Sequence, residues 1–254
     1  MLFRAELRKI LPYRTVWVIL GLYVLLLAGF VSVGGSVTVN GQQLGNTLYA
    51  FPALWPRLTY MASYFNLLLG ITLIILITDE FQFRTFRQQV IDGSSVAGLV
   101  QGKLAVSGLL ALFGMLGVLG VGLFFGLTRS PETVGRAAET LGTVLLYGLQ
   151  ALGYLSVAAL VGFLLRKGGP AFLGFLLYCW IVEPLLRLTT PDEVDRYFPV
   201  KIFDSLTPTP GQELLSTLTG PSSALLPTQA APLAVVYIGL CWLLTYLLLR
   251  SRDL

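Results

Sequence analysis

The chain has 254 residues, of which 55% are hydrophobic and only 12% charged, with a mean hydropathy of +0.77; a soluble domain carries about 25% charged residues, so this composition fits lipid as the main solvent. The net charge of +4 comes from basic residues spread along the chain without a dense patch, which removes nucleic acid as a partner. Histidine is absent, which excludes Ser-His and Cys-His nucleophilic sites, HExxH-type metal sites and His proton relays.

Cys179 and Cys241 both lie in apolar runs and read as small buried hydrophobes; two cysteines alone cannot make a zinc site. No metal or cofactor is expected in the chain itself. Its length is better counted in spans of roughly 20 apolar residues, all within a single transmembrane domain over 1–254.

Residues 1–14 place Leu2, Phe3, Leu7, Ile10 and Leu11 on one side of a helix and Arg4, Arg8 and Lys9 largely on another. This pattern predicts an amphipathic helix in the headgroup region, with Pro12 turning the chain into the bilayer. A secretory signal peptide is the competing reading, but the start is amphipathic and no A-x-A-like site follows the apolar run. The first span is expected at about 15–33. Residues 34–58 read as an extramembrane loop, where Tyr49, Phe51, Trp55 and Tyr60 sit at headgroup level. The second span is expected at about 58–78, with Asn66 inside it in a packing role.

A polar, mixed-charge island follows, Thr78–Lys103. Phe83, Phe86 and Val90 fall at i, i+3 and i+7, which predicts a helix with one apolar stripe over 79–95. Asp79 and Glu80 would open it, where the helix dipole favours acids, and Asp92-Gly93 would stop it. The third span, about 99–127, is glycine-rich and holds a GxxxG at Gly122 and Gly126. The fourth is expected at about 140–165 and the fifth at about 170–188, after the basic turn Arg166-Lys167-Gly168-Gly169. Residues 189–231 hold six prolines with Ile202-Phe203, Leu206 and other apolar residues interleaved, and read as short helices that rest on, or dip into, the membrane surface. The sixth span is expected at about 232–249.

Six spans put both termini on one side. Eleven Lys and Arg residues fall on that side and six on the other, so the positive-inside rule places both termini in the cytoplasm of a plasma (inner) membrane protein. The polar island is then cytoplasmic and the 189–231 segment external.

Glu183 is the one acid well inside a span, and Pro184 follows it. A charge at the bilayer centre costs roughly 2.5–3.5 kcal/mol on insertion scales. Two readings stay open: a satisfied pair with Arg187, four residues on, beside a proline kink, or part of a gate or substrate path. The phosphate-loop lookalike Gly98–Lys103 has three residues between its glycines and no Ser or Thr after the lysine, and is rejected as a nucleotide site.

The run Asp79-Glu80, then Thr85-Phe86-Arg87, Gly93-Ser94-Ser95 and Gly102-Lys103 resembles the ABC-2-type permease family of ABC transporters. In that family an acid ends the second span, a Gly-Thr-aliphatic-Arg run follows, and a Gly-Lys begins the third span; here Arg84 stands where Gly is usual. The resemblance extends to the layout of an interfacial helix, six spans and a long external segment before the last. It implies an all-α ABC-2-type exporter fold and a separate cytoplasmic ABC ATPase subunit that holds ATP and Mg. It also implies a second permease copy, identical or not, and a coupling helix seated on the ATPase. On this reading Phe83 and Phe86 anchor that helix, Glu80, Arg84 and Arg87 orient it, and Asp79 and Thr85 complete the motif. The chain itself is then a transport subunit and not an enzyme. Two alternatives are a non-transporting membrane scaffold or signalling subunit for a cytoplasmic ATPase, and an intramembrane enzyme, which the lack of histidine argues against.

Overall fold

The computed structural model describes residues 6, 8–36, 38–39, 42–43, 49–93, 95–129, 136, 138–210 and 225–251. Helix α1 spans Arg14–Ser36, and a two-residue antiparallel pairing, β1 (Thr38–Val39) with β2 (Gln42–Gln43), sets Thr38 opposite Gln43. Helices α2 (Leu54–Ser63), α3 (Asn66–Gln82) and α4 (Thr85–Ile91) follow, then the long α5 (Val96–Arg129) and α6 (Gly142–Leu165). Helix α7 (Gly168–Leu177) runs through a π-helical turn, Tyr178–Val182, into α8 (Glu183–Leu188). Short α9 (Asp192–Asp195) and α10 (Pro199–Asp204) precede α11 (Pro227–Ser251).

Among the described residues, five helices are long and apolar enough to cross a membrane, and the α2–α3 pair, bent by 43°, makes a sixth crossing if counted as one span. The protein is therefore an all-α membrane protein. Its exterior supports this: Trp17, Val18, Leu25 and Phe30 along α1, and Val235, Val236 and Leu243 along α11, are exposed, while Asn66, Gln150 and Thr245 are fully buried. Apolar residues outside and amides inside suit a chain whose solvent is hydrocarbon.

Helix α6 is the hub. About two thirds (67%) of its span is buried, against 22–39% for the other unbroken spans, and it packs on α11, α3, α5, α7 and α2. Small residues allow this: a Cβ on Gly148 would come 2.3 Å from the Met115 sulfur of α5. Gly122 and Gly126 work differently from the expected helix-to-helix backbone approach. Their open faces receive the rings of Trp55 and Phe51, so the GxxxG of α5 is a seat for the aromatic start of α2.

Two ends result. The terminal end gathers residues near 6–13, the end of α3, α4 and the start of α5; the loop end gathers the starts of α2, α6 and α11 with α8–α10. Helix α5, 34 residues and so about 51 Å long, exceeds a hydrocarbon core of about 30 Å and projects.

Several boundaries differ from the sequence expectation. The second span is broken at Tyr64-Phe65, where Phe65 N–H bonds back to Ala62 at 2.9 Å and Leu68 N–H to Phe65 at 3.0 Å, three residues rather than four. Asp79 and Glu80 do not open a helix; they close α3, which runs on to Gln82. The last helix starts at Pro227 and includes Pro232. Of the 189–231 segment, α10 follows the second of the two expected placements and turns inward: Val200, Lys201, Ile202 and Phe203 are buried against α6 and α11. Residues 211–224, and Leu2, Phe3, Arg4 and Leu7 of the expected interfacial helix, lie outside the described residues; Glu6 and Arg8–Ile10 are helical.

Candidate functional site

The polar island folds into a turn and a short helix rather than one striped helix. Arg84 stands in the left-handed region at φ 57°, and the seven residues of α4 begin after it. This is the position at which the resemblance expects glycine, the residue that adopts this conformation without a Cβ penalty. The turn breaks the register between Phe83 and Phe86. Phe83 is 69% exposed, whereas Phe86 is 2% exposed and packs inward on Phe81 and Phe163, with ring centroids 4.7 and 5.6 Å away. Such aromatic pairs contribute about 0.5–1.5 kcal/mol each beyond burial. The expected stripe is thus split: Phe83, Val90 and Ile91 face outward, Arg84 and Arg87 are exposed beside them, and Phe86 belongs to the bundle. Thr85 ties the turn locally, donating its hydroxyl to the Glu80 carbonyl at 3.2 Å.

Beneath α4 lies a knot of charges that sequence reasoning did not assemble. Lys103 Nζ donates to Glu6 Oε2 at 2.6 Å and to Glu80 Oε1 at 2.8 Å. Lys9 Nζ donates to Glu6 Oε1 at 2.9 Å and to the same Glu80 oxygen at 2.8 Å. Tyr13 donates its hydroxyl to Asp79, and Lys103 also lies 5.7 Å from the Phe86 ring centroid. The knot joins the N-terminal segment, the end of α3 and the start of α5. Burial alone would push the Glu6 carboxyl up, but the two lysines outweigh it and hold the group below its usual value. Lys9 is the converse: burial pulls it down, and Glu80 and Glu6 raise it above the ordinary lysine value.

At the loop end, Glu183 is 1% exposed and its carboxylate accepts the backbone N–H groups of Val200 at 3.1 Å and Lys201 at 3.0 Å. These amides open α10, so Glu183 satisfies donors a helix start leaves unpaired and pins α10 to the fifth span. The expected ion pair with Arg187 is not formed. Arg187 Nε donates instead to Asp195 Oδ1 at 2.7 Å, and Lys201 Nζ pairs with the same carboxylate. The chain returns after α8 so that amides 17 and 18 residues on meet Glu183, while Arg187 is drawn to Asp195.

A second polar group at this end escaped the sequence reading. Tyr154 Oη donates to Asp204 Oδ1 at 2.7 Å, Gln150 Nε2 reaches the same oxygen at 3.4 Å, and Thr207 Oγ1 donates to Gln150 Oε1 at 2.8 Å. Its only sequence signal was an acid between Ile202-Phe203 and Leu206, a pattern for burial and not for surface. Among the described residues, no three His, Cys, Asp or Glu side chains gather as a metal ion would require. No protein-family model matches the chain, and no curated protein matches it.

Proposed function

We propose that this chain is the membrane-spanning permease subunit of an ABC-2-type transporter, acting as an exporter with a second permease copy and two cytoplasmic ATPase subunits that hold ATP and Mg. The observation that carries the reading is the short helix α4 directly after the second crossing. The turn before it and its outward edge present Phe83, Arg84 and Arg87, while Phe86 and the charge knot join it to α3, α5 and α6. An exposed aromatic flanked by two guanidinium groups suits docking into a groove of a soluble partner. The buried side suits passing a push from that partner into the bundle, because packed cores shift as units and do not deform continuously. The terminal end is then cytoplasmic, in a plasma (inner) membrane.

The test is co-expression with a Walker-motif ATPase from the same genome, followed by reconstitution. The complex is expected to hydrolyse ATP and move a reporter lipid or drug across the vesicle, and the chain alone to do neither. Phe83→Ala is expected to leave insertion intact and lower partner binding roughly tenfold or more, the loss of an anchor worth about 2 kcal/mol. Nucleotide hydrolysis by the purified chain alone would end this reading, as would normal partner yield from Phe83→Ala combined with Arg84→Ala and Arg87→Ala.

A further inference from the structure

Asp204 differs from the four buried acids among the described residues, Glu6, Glu80, Glu183 and Asp195. Glu6 and Glu80 face two lysines, Asp195 holds Arg187 and Lys201, and Glu183 takes two backbone amides. Among the described residues no Lys or Arg is ion-paired with Asp204; its Oδ1 is fixed by Tyr154 and Gln150, and no donor reaches Oδ2. Asp204 keeps an exposed side although its bonded oxygen points into packed protein, where Tyr154 and Gln150 are both buried. Gln150 is eight residues into α6, so the group lies about 12 Å below that helix's outer end.

The neighbouring groups narrow what fits. Tyr154 Oη donates to Asp204 and keeps lone pairs facing the same region. Tyr64, at the α2–α3 corner, is within electrostatic range of Asp204 and stands edge-to-face with Tyr60, centroids 5.4 Å apart. Asn66, two residues beyond, is fully buried with neither amide atom hydrogen-bonded, which marks this corner as polar within an apolar bundle. The other charged or titratable groups near Asp204 are Glu183 and Arg187 of α8 and Cys179 of the π turn, of which Glu183 and Arg187 are already engaged. A lone carboxylate so placed lacks a cation. Calcium and magnesium need six or more oxygens, usually from several acids, and do not suit one free carboxylate oxygen. An ammonium group does suit it: the carboxylate, a phenol oxygen and an aromatic face are its usual partners.

We propose that Asp204, backed by Tyr154 and Gln150 and flanked by Tyr64, receives an organic ammonium group that reaches its exposed side from the loop end of the bundle. The ammonium belongs to a soluble amine or to an amine-bearing lipid headgroup. Burial, ahead of all other influences, pushes the Asp204 carboxyl up to about 6, with Tyr154 and Gln150 opposing. A proton therefore competes with the cation below that pH and not above it.

The experiment is a titration of the purified full-length chain with n-butylammonium chloride, in detergent and in phosphatidylglycerol nanodiscs, read as a shift in melting temperature, with sodium chloride at matched ionic strength as control. At pH 7.5 a saturable stabilisation by butylammonium alone is expected. It should weaken roughly tenfold at pH 5, one unit below the group's titration. Asp204→Asn should abolish it, and Tyr64→Ala, at an exposed site, should weaken it about twofold to fivefold. If adding phosphatidylethanolamine to the discs raises the butylammonium concentration needed, the headgroup is the natural occupant; if not, a soluble amine is. Should Asp204→Asn fail to fold, the pH dependence of the unaltered chain decides. No saturable shift at pH 7.5, equal binding at pH 5, or equal binding by a folded Asp204→Asn protein would each overturn the proposal. The chain is tested alone, so such a failure leaves the coupling role of α4 untouched.

Discussion

At the terminal end, Lys9 and Lys103 face Glu6 and Glu80, two charges of each sign; at the loop end, Asp204 meets only hydroxyl and amide groups. In the first arrangement each charge has a counter-charge, although Glu80 Oε2 is buried with no donor among the described residues. The four charges cancel, and the members come from three separate parts of the chain, as a clamp requires. The second is open, with one acid that has no ion-pair partner among the described residues. A buried pair adds little net stability over an apolar substitute, but removing one member is costly because the other charge is left stranded. The terminal end should therefore be sensitive to mutation through stability, and the loop end through binding.

Ways to break this contrast can be ranked by expected size. Phe86→Ala should cost about 3–5 kcal/mol, because it empties a fully enclosed aromatic site between Phe81 and Phe163. Denaturant melts followed by tryptophan fluorescence would show it, and a loss under 1 kcal/mol would mean that α4 is not seated on the bundle. Lys103→Met should cost about 3 kcal/mol, at the lower end for a broken buried pair, since Lys9 still holds both acids. Glu183→Gln should cost about 1–3 kcal/mol by weakening two charge-assisted bonds. Hydrogen exchange at Val200 and Lys201 should speed up first, and unchanged protection there would remove Glu183 from its pinning role. Arg84→Gly should stabilise by about 1 kcal/mol, because the left-handed turn suits glycine better.

The pH dependence follows from the same knot. Glu6 has a folded value below its ordinary 4.5, so its contribution is complete above that pH and lost as pH falls through the folded value. Lys9 has a folded value above 10.5, so its contribution is complete below that pH and lost as pH rises through the folded value. The melting temperature should fall in both outer ranges, and less so in Lys103→Met.

Much of the fold was legible because span-length apolar runs are a strong signal: the first and third to fifth crossings lie within a few residues of where composition places them. The break at Tyr64-Phe65 was not, since neither Gly nor Pro marks it. Reading Phe83 and Phe86 as one stripe assumed an unbroken helix, and the left-handed Arg84 between them is what separates them. Pairing Glu183 with Arg187 relied on i,i+4 proximity, whereas the actual partners arrive by a tertiary return of the chain. Asp204 was hidden for the same reason: Tyr154 and Gln150, its partners, are at least 50 positions away.

The claim that a soluble motor grips this protein through α4 is tested most directly by cross-linking. Phe83→Cys, on the unaltered chain otherwise (with Cys179 and Cys241 replaced by Ser in parallel), would be treated with a short bifunctional reagent in reconstituted complexes with the ATPase. The account predicts a covalent adduct between the two subunits that changes in yield with ATP. Absence of any adduct, together with modification of the same cysteine by a membrane-impermeant reagent added to intact cells, would contradict it.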